Sequence, residues 1–356
     1  MKQLLVISIF LFFSIIAGQN PSKPKNIILL IGDGMGIPQV SASVLSIEND
    51  PFKKFKNIGL INTCSADKLV TDSAAGATAF AAGKRTLNNR LGIDIEGNNL
   101  ENIFEIAKKK KKSTGVVVTC SITNATPAAF MVHIDSRYKQ FEIAEQIAKS
   151  NTDILIGAGT QYFLPKSIGG KRDDEKNIAD TMKSLGYHVI TDSTQIYNLP
   201  DKNKLLALLG SYQLPKGEDR NYNLGELTKH AIKSLNKNKK GFVLMIEGSR
   251  IDWAGEANDR DYFYSEQIDF NNAINAALDF ASKDKNTLVI VLADHDTGAM
   301  GIKTRGTDSE KLGMVWGTKT HTANLIATFS FGPASNKFIG ILENWEVGKK
   351  LIELVK

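Results

Sequence analysis

The sequence predicts an α/β protein, a three-layer α/β/α sandwich with a mostly parallel central sheet. Three observations predict it. Apolar, β-branched runs at 26–31, 115–119, 241–246 and 287–293 lack polar alternation, the pattern of strands buried on both faces. Helical patterns, such as 102–110, 141–149 and 264–281, are interspersed with them, as in a sheet covered by helices. Acidic and histidine residues collect just after the apolar runs, where open α/β sheets hold their chemistry.

At the N-terminus, Lys2 precedes a nearly continuous apolar run at 4–17, and Gly18, Gln19 and Asn20 follow. This reads as a secretory signal peptide over 1–18. The run is short for a membrane span, and polar Pro/Lys sequence follows it at once. Residues 19–356 are then one large catalytic domain. Periplasmic or secreted localisation is expected, with no membrane anchor after cleavage.

Cys64 and Cys120 are the only cysteines. An exported chain permits them one disulfide, but both sit in strand-like sequence and free thiols are the expectation. Any metal must therefore rely on His, Asp and Glu. The net charge is +6, and the lysine run 108–112 supplies much of the local excess. It ends a helical pattern, where cations suit the helix dipole. No aromatic or glycine pattern for stacking bases accompanies it, so nucleic-acid-specific binding is not expected. The more polar segment 159–240 reads as helices and loops capping the sheet.

At 71–83, Thr71, Asp72 and Ser73 open a helix of nearly all small residues. A helix N-terminus offers free N–H groups and positive potential to an anion, although Asp72 and Ser73 also suit a plain N-cap. Asp33 ends the first apolar run between two glycines, either capping a turn or binding a metal. Glu247 ends the third run. Asp252 and Glu256 stand four apart; on a helix they share a face and repel unless a cation lies between them. Asp294 and His295 end the fourth run, and His321 follows later. Thr126 and Arg137 lie beyond the second run; a guanidinium fork suits phosphate oxygens. His188 and His230 sit in polar context and read as surface residues.

Taken together, GDGMG at 32–36, TDSAAGATAFAAG at 71–83, ATPAAF at 125–130, EGSRIDWAG at 247–255 and ADHDTG at 293–298 resemble the alkaline phosphatase family, most of all its short exported bacterial forms. The resemblance runs from Lys25 to about Leu354. It implies hydrolysis of small-molecule phosphate monoesters through a phosphoserine on Ser73, with Arg137 gripping the phosphate. It also implies two zinc ions and one magnesium. Asp252, Glu256 and His321 would hold the first zinc. Asp33, Ser73, Asp294 and His295 would surround the second. Asp33, Thr126 and Glu247 would hold the magnesium, with Asn124 beside it. A homodimer is common in the family, but the short stretch 295–321 leaves that state open.

Glu256 departs from the pattern, which has histidine there. A harder, more anionic donor set shifts preference from zinc toward manganese, magnesium or cobalt. Two alternatives stay open: an exported phosphodiesterase of the same superfamily, and a weakly active metal- or phosphate-binding relative.

Overall fold

The computed structural model describes residues 23–305 and 312–356. The signal reading of 1–18 lies outside the described residues. In chain order the strands are β1 (Asn26–Gly32), β2 (Asn57–Asn62), β3 (Ser113–Ser121), β4 (Ile154–Ala158), β5 (His188–Ile190), β6 (Leu205–Leu208), β7 (Phe242–Gly248), β8 (Thr287–Leu292), β9 (Asp296–Thr297), β10 (Met300–Arg305), β11 (Leu312–Trp316), β12 (His321–Thr322), β13 (Ile326–Phe331) and β14 (Gly340–Glu343). The helices are α1 (Ile37–Ser46), α2 (Ser73–Ala82), α3 (Ile103–Lys109), α4 (Ala125–Ala128), α5 (Gln140–Lys149), α6 (Thr160–Phe163), α7 (Ile178–Ser184), α8 (Leu224–Leu235), α9 (Arg250–Ala257), α10 (Arg260–Asp284) and α11 (Asn344–Val355).

Ten strands form one sheet in the order β14-β2-β13-β8-β1-β7-β3-β4-β6-β5. Only β13 runs against its neighbours, pairing antiparallel with both β2 and β8; the remaining pairs are parallel. The four apolar runs read from sequence are β1, β3, β7 and β8, and every residue of β1, β7 and β8 is buried. Helices α8 and α10 pack together over β3, β4, β7 and β8, while α2, α3 and α11 form a second group. The predicted three-layer sandwich is therefore the observed one.

The order β8-β1-β7-β3 positions the site. These four strands are adjacent and parallel, so their C-terminal ends open on one edge of the sheet. Whatever follows each strand must meet there.

The segment 159–240 departs from the expectation. It does carry helices and loops, but β5 and β6 within it extend the sheet at its far edge. These strands are three and four residues long, too short to stand out as periodic runs. Arg172 ties the segment down: its buried guanidinium bonds the Phe141 and Tyr162 carbonyls and pairs with Glu145 at 2.7 Å.

Both cysteines are free, Cys120 buried in β3 and Cys64 partly buried just after β2. The lysine run is more engaged than a solvated helix end. Lys108 pairs with Asp153 at 2.8 Å, and Lys112 donates to the Lys25 and Lys240 carbonyls.

Candidate active site and metal centre

Ser73 is the first residue of α2, and it is buried. Asp72 caps the helix by accepting from the Ala75 N–H at 3.0 Å. The cap and the nucleophile candidate are therefore neighbours, and Asp72 takes the N-cap role that the triplet suits. The small residues of α2 let it press against the end of β8: a Cβ on Gly76 would stand 3.1 Å from the Asp294 carbonyl oxygen.

Around Ser73 lie residues from two strand ends, those of β1 and β8. His295 Nε2 is 3.3 Å from Ser73 Oγ, 3.4 Å from Asp33 Oδ1 and 3.3 Å from Asp294 Oδ2. Burial holds the imidazole pKa well below its ordinary value, and the nearby His321 and Arg137 act in the same direction. The ring is therefore neutral. Asp33 Oδ1 and Asp294 Oδ2 are buried and accept no hydrogen bond among the described residues. Burial also raises the pKa of both carboxyls, and for Asp33 the nearby acids Asp294, Asp252 and Glu247 push the same way. A cation fits this arrangement: acceptor atoms converge where no proton donor serves them.

A second group adjoins the first. His321 Nε2 is 3.5 Å from Asp252 Oδ1, and the rings of His295 and His321 stack with centroids 3.5 Å apart. One ligand atom each from Asp252, His295 and His321 falls within 4.8 Å, and the same holds for Asp33, Asp294 and His295. Such Asp/His sets are ordinary zinc donors.

Glu256 is placed differently from its neighbours. It sits one turn beyond Asp252 on α9, as the spacing predicts, but it is exposed and is not among the atoms grouped with Asp252, His295 and His321. Burial and the charge of Asp252 raise its pKa, against the pull of His321 and Arg137.

Glu247 and Thr126 meet near Asp33. Glu247 is 1% exposed, and burial pushes its pKa up to about 7. Thr126 Oγ1 is buried and stands beside it, close enough to lower the Glu247 pKa by hydrogen bonding. The Cys120 thiol lies 3.4 Å from Glu247 Oε2; burial pushes the thiol pKa up, so it is protonated and inert.

Arg137 is held at the mouth of the site. It donates to Asp72 Oδ2 at 3.1 Å and to Asn124 Oδ1 at 3.3 Å. Burial opposes its charge, but Asp72 outweighs that and its pKa is raised. Asn124, expected beside the magnesium site, also caps α4 through the Ala125 N–H.

Sequence reasoning missed Thr297 and the partner roles of Asp72 and the Thr71 carbonyl. Thr297 is fully buried between Asp252 and His295. Sequence carried no signal for it, because only the fold brings Asp252 to its hydroxyl. His188 is exposed, as read, whereas His230 is half-buried.

Fold and site together define an α/β protein in which Asp/His groups that could hold metal ions surround a serine at a helix N-terminus. A sequence profile described as alkaline phosphatase matches residues 24–315. Alkaline phosphatase 3 of Bacillus subtilis (strain 168) is 40% identical over 306 residues, covering 81% of this chain and 64% of that protein. Alkaline phosphatase of Escherichia coli (strain K12) is 28% identical over 400 residues, covering 91% of this chain and 85% of its own. The alkaline phosphatase from the Antarctic bacterium TAB5 superposes with a TM-score of 0.86 at 39% identity, covering 94% of this chain and 98% of that one. A His-to-Asp variant of the TAB5 enzyme has magnesium bound in a site called M3. This chain belongs to the alkaline phosphatase family. It spans 64% of the length of the B. subtilis relative.

Proposed function

We propose that this protein is an exported, metal-dependent alkaline phosphatase that hydrolyses phosphate monoesters through a phosphoserine on Ser73. One observation carries the reading. A buried serine hydroxyl at a helix N-terminus lies 3.3 Å from a neutral imidazole nitrogen that also faces two buried carboxylates. A structural N-cap needs none of these neighbours.

Asp33, Ser73, Asp294 and His295 would hold one zinc. Asp252 and His321 would hold the other, with Glu256 reaching in from the rim. Asp33, Thr126 and Glu247 would hold magnesium. When bound, such ions supply the positive charge that lowers a hydroxyl pKa and stabilises attacking and leaving oxygens of an in-line displacement. The chain's own residues do the rest. Ser73 loses its proton to solvent and attacks phosphorus; the Oγ–P bond forms as the P–O bond to the leaving group breaks, and the departing oxygen takes a proton from solvent to leave as the alcohol. The N-terminus of α2 offers N–H groups to the phosphoryl oxygens. Arg137, aimed by Asp72 and Asn124, grips two of them. A water then attacks the phosphoserine from the opposite side and returns Ser73 as its hydroxyl. Two inversions give retention at phosphorus.

Among the described residues no helix is long and apolar enough to cross a membrane. The signal-like N-terminus supports export to the periplasm or medium.

The test is to trap radiolabelled phosphate on the protein at mildly acid pH and locate it by peptide mass spectrometry. Label on Ser73, lost in Ser73→Ala together with turnover of p-nitrophenyl phosphate, is expected. Unchanged turnover in Ser73→Ala overturns the nucleophile assignment. Faster turnover of bis(p-nitrophenyl) phosphate identifies a phosphodiesterase, and metal binding without label on either substrate identifies a binding relative.

A further inference from the structure

Thr297 occupies a position between the two candidate metal groups that gives its hydroxyl two simultaneous tasks. Its Oγ1 is 2.5 Å from Asp252 Oδ1, in one group, and 3.2 Å from His295 Nδ1, in the other. The hydroxyl has one proton to give and lone pairs to receive with. A carboxylate can only accept, so the proton goes to Asp252. The lone pair is left facing His295, which must then carry hydrogen on Nδ1. Its Nε2 is thereby a bare lone pair aimed at Ser73, Asp33 and Asp294.

His321 is set the same way by a different acceptor. Its Nδ1 lies 3.0 Å from the Thr71 carbonyl oxygen, which can only accept, leaving Nε2 open toward Asp252. The hydroxyl of Thr297 is in turn fixed from several sides. Its backbone N–H donates to the Gly34 carbonyl at 3.1 Å, and its carbonyl accepts from Gln39 Nε2 at 2.8 Å. Its methyl side lies so close to Gly255 of α9 that a Cβ there would stand 3.0 Å from Thr297 Cγ2. Neither rotation nor retreat is open to it without disturbing the β1–α1 turn or α9.

We propose that Thr297 is a positioning residue shared by both metal groups: one hydroxyl orients the Asp252 carboxylate and fixes the His295 tautomer, so the two sites are loaded together. This rests on the metal-centre reading above. Outer partners of this kind are worth about 10–100-fold in metal affinity, and here one deletion reaches two sites.

The experiment uses the full-length protein equilibrated in a series of zinc-buffered chelator solutions, with zinc per chain measured after gel filtration. Thr297→Val keeps the volume and removes the hydroxyl. Its zinc-loading midpoint is expected to move to about 10–100-fold higher free zinc, with both ions lost over the same range. Thr297→Ser, which keeps the hydroxyl, is expected to load close to wild type. Thr297→Ala carries the expectation of the valine variant if that variant does not fold. Loading of Thr297→Val at the wild-type midpoint, or of Thr297→Ser as poor as that of Thr297→Val, overturns the proposal while leaving the metal centre standing. A wild-type protein that holds neither zinc nor magnesium overturns both.

Discussion

The imidazole rings of His295 and His321 stack at 3.5 Å between centroids, inclined by 20°. They come from segments 26 positions apart, joined through the short pairing of β9 with β12. Each ring turns its Nε2 toward carboxylates and its Nδ1 toward a protein acceptor. The stack thus joins the two candidate metal groups through one pair of rings.

Arg137 offers the simplest test of phosphate binding. It is aimed by Asp72, the residue that caps α2, and by Asn124, the residue that caps α4. Charge-assisted bonds of this kind contribute about 1.5–3 kcal/mol, so Arg137→Ala should weaken inhibition by inorganic phosphate by roughly 10–150-fold. Arg137→Lys should recover little, because an ammonium lacks the fork. Phosphate inhibition constants at fixed metal content measure this, and a wild-type constant for Arg137→Ala contradicts it.

Gly34 is where the backbone leaves least room. It has φ +69°, and a Cβ there would stand 2.7 Å from Thr297 Oγ1 and 2.8 Å from the Asp252 Cα. The left-handed conformation costs alanine about 1–2 kcal/mol, and crowding a packed site adds about 1–3 kcal/mol. The backbone of Asp252 cannot swing away as a flexible side-chain tip could. Gly34→Ala should therefore lower the thermal midpoint and zinc retention together. A melt and zinc content both equal to wild type would contradict this packing account.

Much of the sheet was legible because β1, β3, β7 and β8 are buried strands whose apolar runs have no competing pattern. The same strands made most of the site legible, since Asp33, Glu247, Asp294 and His295 lie at or just beyond their ends. The edge strands β5 and β6 escaped because so few residues carry their pattern. Thr297 escaped for a different reason. Threonine is a common strand residue, and only the fold reveals which two neighbours share its hydroxyl. Glu256 was placed on the correct face of α9, but sequence periodicity says nothing of how deep that face lies, and this residue ends at the surface.

Glu256 predicts a metal-dependent shortfall. Asp252 is buried and His321 half-buried in the proposed first zinc group, and Glu256 stands exposed one turn along α9. A carboxylate there is harder than imidazole and adds negative charge beside Asp252. Glu256→His should raise zinc affinity and turnover with zinc, while turnover with manganese or cobalt should gain less. Rates after reloading each metal, normalised to metal content, measure the difference. A variant that gains neither zinc nor rate rejects this explanation of the departure.

His133 predicts a pH-dependent stability outside the site. Its Nδ1 is 2.7 Å from the Gly92 carbonyl oxygen and its Nε2 is 3.1 Å from Glu105 Oε1. Both nitrogens face acceptors, which only the doubly protonated ring can satisfy. Burial opposes the charge, but the bonds to Glu105 and Gly92 prevail and the pKa is raised above 6.5. Burial likewise opposes ionisation of Glu105, yet the bond to His133 helps bring its pKa below 4.5. A histidine whose pKa is higher in the folded chain adds stability that is complete below the unfolded value. That stability is lost as pH rises through the folded value. His133→Gln should therefore lower the melting midpoint more at about pH 6 than at about pH 9. The ring resonances absent from His133→Gln should titrate above 6.5 in the parent protein. A stability gap that stays constant or widens with pH would show that the ring is held neutral.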